Sequence, residues 1–220
     1  MQGKISLAQL QQIFTGQLTN WQQLGANFPN LPIKPYRPKE PEALRLFQQK
    51  VLGNDPSLIA QFSLIEQRST FDTLRSIAIG DRQAQKTEAG SISFGLMTQT
   101  WDQCKIYPLA IAQEYVDPVQ PLLRETTNGT MQPISPADNL CLEKQPLPNI
   151  SAFHTATYPL SAPLIIAYPR DNNLPGHISG PIFANFLKTQ DGQYLLQQAG
   201  LVPLQTAPKN YTLSASILNR

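Results

Sequence analysis

Apolar residues in this chain recur first every third or fourth residue and then every second, and a cap, proline or glycine marks most of the changes. That alternation limits the fold more than any other feature, because helices interleaved with short strands make an α/β architecture. Ser6 to Gly16 sets Leu7, Leu10, Ile13 and Phe14 on one helical face, with Ser6 as cap and Gly16 as stop. Trp21 follows in a polar turn. Ile33-Lys34-Pro35-Tyr36-Arg37 reads as a short strand whose prolines suit an edge or an end. A second helix opens at Pro41, places Leu44, Phe47 and Val51 on one face and stops at Gly53. Ser69-Thr70-Phe71-Asp72 fits a capping box ahead of Leu74, Ile77 and Ala78, with Gly80 as the stop.

Ser91 to Met97 and Lys105 to Ile111 read as sheet strands. Between Asp117 and Phe153 the prolines, Asn128-Gly129 and Asn149 leave a loop with short strands. Tyr158 to Tyr168 reads as a strand entered through two prolines and crossing between lobes. Ile182, Phe183, Phe186 and Leu187 then mark one amphipathic helix, and Gln193 to Ala199 a second that Gly200 closes. No internal repeat is visible.

Lys and Arg number 17 against 15 Asp and Glu, a net charge of +2 with no basic cluster, so a nucleic-acid partner is not expected. The longest clean apolar stretch, Ala162 to Tyr168, contains Pro163 and falls far short of the ~18 residues of a membrane span. Met1 to Ser6 runs straight into the first helix without a basic region followed by an apolar one, so no signal peptide is read there. That leaves a cytoplasmic chain, or one that begins after its export information. Cys104 and Cys141 have no metal-binding spacing and fit either a single disulfide or two buried thiols. His154 and His177 stand apart from carboxylates and cysteines and read as surface residues. There is no GxxxxGK loop, GxSxG elbow or HExxH helix, so neither cofactor nor catalytic residue is expected. Asn128, Asn149 and Asn210 open glycosylation-type triplets, a pattern short enough to recur by chance.

Five stretches in order carry a likeness to a known family. Leu10-Gln11-Gln12-Ile13-Phe14-Thr15-Gly16-Gln17-Leu18-Thr19-Asn20-Trp21 looks like "IFxGxIxxW", and Ile33 to Phe47 like "IxxxxRxxxSGTxxxF". Gly90 to Gly95 is similar to "GAIGY", and Tyr158-Pro159-Leu160-Ser161-Ala162-Pro163-Leu164 to "YPLxRPL". Phe186 to Leu204 is similar to the closing "FLxSxxGQ…GxVPL". These stretches resemble the phosphate-type periplasmic binding proteins, non-catalytic solute receptors of bacterial ABC transporters with a two-lobed type II fold. The prolines and twin cysteines suggest a cyanobacterial member.

The resemblance implies an α/β, two-lobed fold with one lobe incomplete, residues 1–30 and 159–220 forming that lobe and 31–158 the other. It implies an extracytoplasmic location, a small oxyanion such as phosphate held between the lobes, and as partners a transporter permease or another protein segment that completes the first lobe. Among site residues it carries over Arg37 as the ligand contact and puts Pro41, Glu42 and Ala43 at the positions of the family's Ser-Gly-Thr anion loop. Those three lack its chemistry. Pro41 has no N–H, Ala43 no hydroxyl, and Glu42 repels an anion. Ala162 also stands where the family has Arg. Arg37 alternatively pairs with Glu40 or Glu42. Thr15 and Trp21 match turn-shaping positions, Trp21 as packing, while Tyr36 and Tyr158 face either cleft or core. The alternative to a phosphate receptor is a binding-protein-like interaction or regulatory module that no longer binds phosphate.

Overall fold

The computed structural model describes residues 3–79, 90–113, 116–142 and 145–205. Contacts divide the chain into two units, Met1–Ser161 and Ala162–Arg220, a boundary at one point of the chain where the sequence suggests discontinuous lobes.

The first unit opens with β1 (Lys4–Ser6) and α1 (Leu7–Phe14). Ser6 starts α1 through a capping box: its Oγ accepts from the Gln9 N–H at 3.1 Å, and Gln9 Oε1 accepts from the Ser6 N–H at 2.9 Å. A 3-10 turn at Trp21–Leu24 leads to β2 (Lys34–Tyr36) and α2 (Pro41–Lys50), whose Pro41 fits the first helical position because no N–H is needed there. Next comes α3 (Pro56–Ser63), a helix the apolar spacing did not suggest; its signal is Asp55, whose Oδ1 accepts from the Ser57 N–H at 2.7 Å, followed by Pro56. α4 (Thr70–Ile79) begins where the Ser69 box predicts, while the stop assigned to Gly80 lies outside the described residues.

β3 (Ser91–Ser93), the single-turn α5 (Met97–Thr100) and β4 (Ala110–Ala112) follow. Both strands are shorter than the runs Ser91 to Met97 and Lys105 to Ile111 suggest. β1 pairs with β4 and β2 with β3, each in parallel, with Ile5 opposite Ile111 and Lys34 opposite Ser91. Gly90 lies just before β3 at φ +85°, and a Cβ there would collide with the Pro32 carbonyl. Its own carbonyl accepts from the Lys34 N–H and from Trp21 Nε1, each at 3.0 Å. The long irregular region contains a three-stranded antiparallel sheet with β5 (Leu122–Glu125) between β6 (Met131–Pro133) and β7 (Leu147–Pro148), then α6 (Ile150–His154). Cys104 and Cys141 are joined by a disulfide.

The core of this unit gathers four phenylalanines. Phe14 of α1, Phe47 of α2, Phe62 of α3 and Phe94 after β3 lie with ring centroids 4.1–6.2 Å apart, and Phe47 stacks on Phe94. Leu10, Ile13, Val51, Leu52 and Ile92 pack in the same cluster.

In the second unit, α7 (Ser179–Lys188) and α8 (Gln190–Gln198) form a helical hairpin. Thr189 turns the corner, its Oγ1 accepting from the Gly192 N–H at 3.2 Å. Gly192 permits close approach, since a Cβ there would meet the backbone of Phe186 and Leu187. Gln193 is buried and uses both ends of its amide, donating to the Leu187 carbonyl and accepting from the Leu204 N–H, each at 2.5 Å. The strand expected over Tyr158 to Tyr168 is absent. The chain is irregular there, with Leu164 65% and Ile165 79% exposed. Pro159, Pro163 and Pro169 supply no N–H to a ladder, and among the described residues no strand pairs with the run. Replacing Phe47 by Ala should cost the first unit about 3–5 kcal/mol, read in urea unfolding followed by Trp21 emission.

Candidate functional site

Arg37 leaves the end of β2 and runs beside the segment linking α3 to α4. Its N–H donates to the Glu66 carbonyl and its carbonyl accepts from the Arg68 N–H, each at 3.0 Å; Gln67 Nε2 donates to the Pro38 carbonyl at 3.2 Å. The side chain is half-buried, with Nε donating to the Ile65 carbonyl at 2.8 Å and the guanidinium carbon 5.9 Å from the Phe62 ring centroid. One edge of the guanidinium is therefore fixed by the fold. Among the described residues no ion pair involves it.

The two carboxylates that could have neutralised Arg37 are engaged elsewhere. Glu42 is exposed and pairs with Arg45 at 3.8 Å, a contact worth little in water. Glu40 precedes α2 but does not cap it. Its carboxylate reaches α4, where Oε1 accepts from the Thr70 N–H at 3.2 Å and Oε2 from Thr70 Oγ1 at 3.0 Å. Partial burial pushes the Glu40 pKa up, but hydrogen bonds from its own N–H, from Thr70 and from the Lys39 N–H outweigh that and hold it below the ordinary carboxylate value. Ser69 completes the cap, its Oγ accepting from the Asp72 N–H at 3.0 Å.

The amino end of α4 is thus filled by the protein's own groups, while that of α2 has no side-chain cap. Pro41 begins α2, Glu42 faces solvent and Ala43 is buried. The first-turn N–H groups and the helix dipole favour negative charge at that terminus. A guanidinium fork and a helix terminus are each groups that favour a small anion, and neither needs hydroxyl donors from Pro41 or Ala43. Thr70 and Glu40 were not singled out by motif, although the Ser69-Thr70-Phe71-Asp72 box marks the helix end at which they meet.

The remaining candidates are structural in their contacts. Thr15 Oγ1 donates to the Gln11 carbonyl at 2.8 Å at the end of α1. Trp21 is 2% exposed and packs against the core. Tyr36 is buried, with the Arg68 guanidinium 4.0 Å from its ring centroid. Tyr158 packs on Phe153 at 5.3 Å, and burial pushes its phenol pKa up. His154 ends α6, and His177 Nδ1 lies 3.1 Å from the Leu174 carbonyl. Among the described residues no group of His, Cys, Asp and Glu could hold a metal ion. Asn149 caps α6 with Oδ1 and donates through Nδ2 to the Gln120 carbonyl, whereas Asn210 lies outside the described residues.

The profile of the PBP superfamily domain matches residues 2–188. No curated protein matches the chain. A solved structure similar in fold is described as that of a phosphate ABC transporter substrate-binding protein from Clostridium perfringens with bound phosphate. Identity is 16%, the TM-score is 0.57, and the match covers 92% of this chain but 64% of that one.

Because the folded Glu40 pKa is depressed, its stabilising effect is present above the ordinary value of 4.5 and fades as the pH falls through the folded value. Glu40→Gln should therefore cost about 1 kcal/mol at pH 7, the scale of a lost helix cap. Urea unfolding across pH should show that difference closing in acid.

Proposed function

The chain belongs to the PBP superfamily, and on that premise we propose that it is a non-catalytic solute-binding domain of the ABC-transporter receptor kind, holding a small oxyanion such as phosphate at Arg37. The observation that carries the reading is a guanidinium fixed through Nε, free of any ion pair among the described residues, four residues before the uncapped amino end of α2. The phosphate bound in the similar solved structure agrees with that anion chemistry. Glu42 lies in the first turn of α2 and weakens the local field, so the site suits a weakly held anion better than a tightly clamped one.

An extracytoplasmic location accords with the family and with the Cys104–Cys141 disulfide, a bond that persists in oxidising compartments. Among the described residues no helix is long and apolar enough to cross a membrane. The partners that fit are a transporter permease and another protein segment completing the fold, since the chain spans 64% of the similar structure and exposes Leu164, Ile165, Ile182 and Phe183.

Thermal unfolding with and without inorganic phosphate tests the site. At about a hundredfold excess over Kd the anion adds about 2.7 kcal/mol, a rise of roughly 5–10 °C for a chain of this length. Arg37→Ala should abolish the rise, and Arg37→Lys should keep a part of it. No rise in the parent protein would leave a phosphate-indifferent interaction module; an undiminished rise in Arg37→Ala would move the anion site elsewhere.

A further inference from the structure

A cleft of about 320 Å³ shares no residue with the Arg37 segment. Trp101, Ile106, Pro108 and Leu122 line it together with Leu140 and Pro146, and Cys104 lies in its wall. The disulfide joins two turns, 100–106 and 138–142, whose backbone hydrogen bonds close on their own neighbourhoods. Trp101 N–H donates to Met97, Gln103 to Thr100 and Ile106 to Gln103; Asp138 donates to Ser135 and Leu142 to Asn139. Neither turn contributes a residue to the buried cluster built around the four phenylalanines. Asp138 is anchored separately, at 3.3 Å from Arg124 of β5 and accepting from the Ser135 N–H at 2.7 Å. Both cysteines are exposed, so a thiolate can reach the bond.

We infer that the Cys104–Cys141 disulfide is a redox-operated latch on this cleft: oxidised, it holds the two turns together as walls, and reduced, it lets them part while the core stays folded. The reductant is a dithiol. One of its thiolates attacks a protein sulfur, the S–S bond breaks, and the other cysteine leaves as a thiolate; the second thiolate then resolves the mixed disulfide. Two electrons and two protons pass to Cys104 and Cys141, and the dithiol ends as its own disulfide. The loop that the bond closes runs through β4, whose Ile111 packs in the buried cluster and pairs with β1, so β4 stays held by the core when the bond opens and the release falls on the turns at its two ends.

The test is hydrogen exchange on the whole chain, oxidised and after treatment with dithiothreitol, with Cys104→Ser/Cys141→Ser as a permanently open form. Peptides covering 100–106 and 138–142 should exchange about tenfold faster or more in both open forms, while those carrying Phe14, Phe47 and Phe62 keep their protection. Acrylamide should quench Trp101 more strongly after reduction and leave core Trp21 unaffected, with Trp101→Phe assigning the signal. Unchanged exchange in both turns would show that the bond latches nothing. Loss of protection across the phenylalanine peptides would make it a staple of the whole unit, and resistance of the native bond to dithiothreitol would remove the switch; each outcome overturns the inference.

Discussion

Four aromatic rings hold the first unit together. Phe14, Phe47, Phe62 and Phe94 come from three helices and from the exit of a strand, and each touches the other three. Phe14, Phe47 and Phe62 are buried and each contributes about 1.5–3 kcal/mol, Phe94 is partly buried against them, and offset or edge-on ring pairs add to that. Phe47 and Phe62 anchor α2 and α3 in that cluster. The candidate site hangs from those helices: residues 37–40 lead into α2, residues 65–70 follow α3, and the Arg37 guanidinium lies over Phe62 itself.

Charge placement around Arg37 follows from which helix end each carboxylate serves. Glu40 crosses to α4, where Thr70 offers both an N–H and a hydroxyl, and the resulting hydrogen bonds lower its pKa. Glu42 remains in water. The amino end of α4 is thereby satisfied by side chains of the chain itself, whereas that of α2 has no side-chain cap.

Local signals were legible in the sequence and non-local ones were not. Ser6 with Gln9 and Ser69 with Asp72 act within one helical turn, Pro41 acts at the first position of α2, and each stands where cap chemistry puts a helix start. α3 escaped notice because its cap, Asp55, is followed by too few periodic residues. Leu164-Ile165-Ile166 has strand-forming side chains, yet a strand exists only with a partner, and three prolines remove donors from the ladder. Glu40 meets Thr70 thirty residues away, and the disulfide depends on two turns meeting in space. Neither distance can be read from spacing.

The carbonyl of Gly90 has two lone pairs, and both are taken, one by the Lys34 amide and one by the indole of Trp21. A slip of β3 by one residue along β2 would break both bonds at once and turn Ile92 out of the core. Three-residue strands carry little information about their own alignment. Here a side chain from outside the sheet proofreads the pairing.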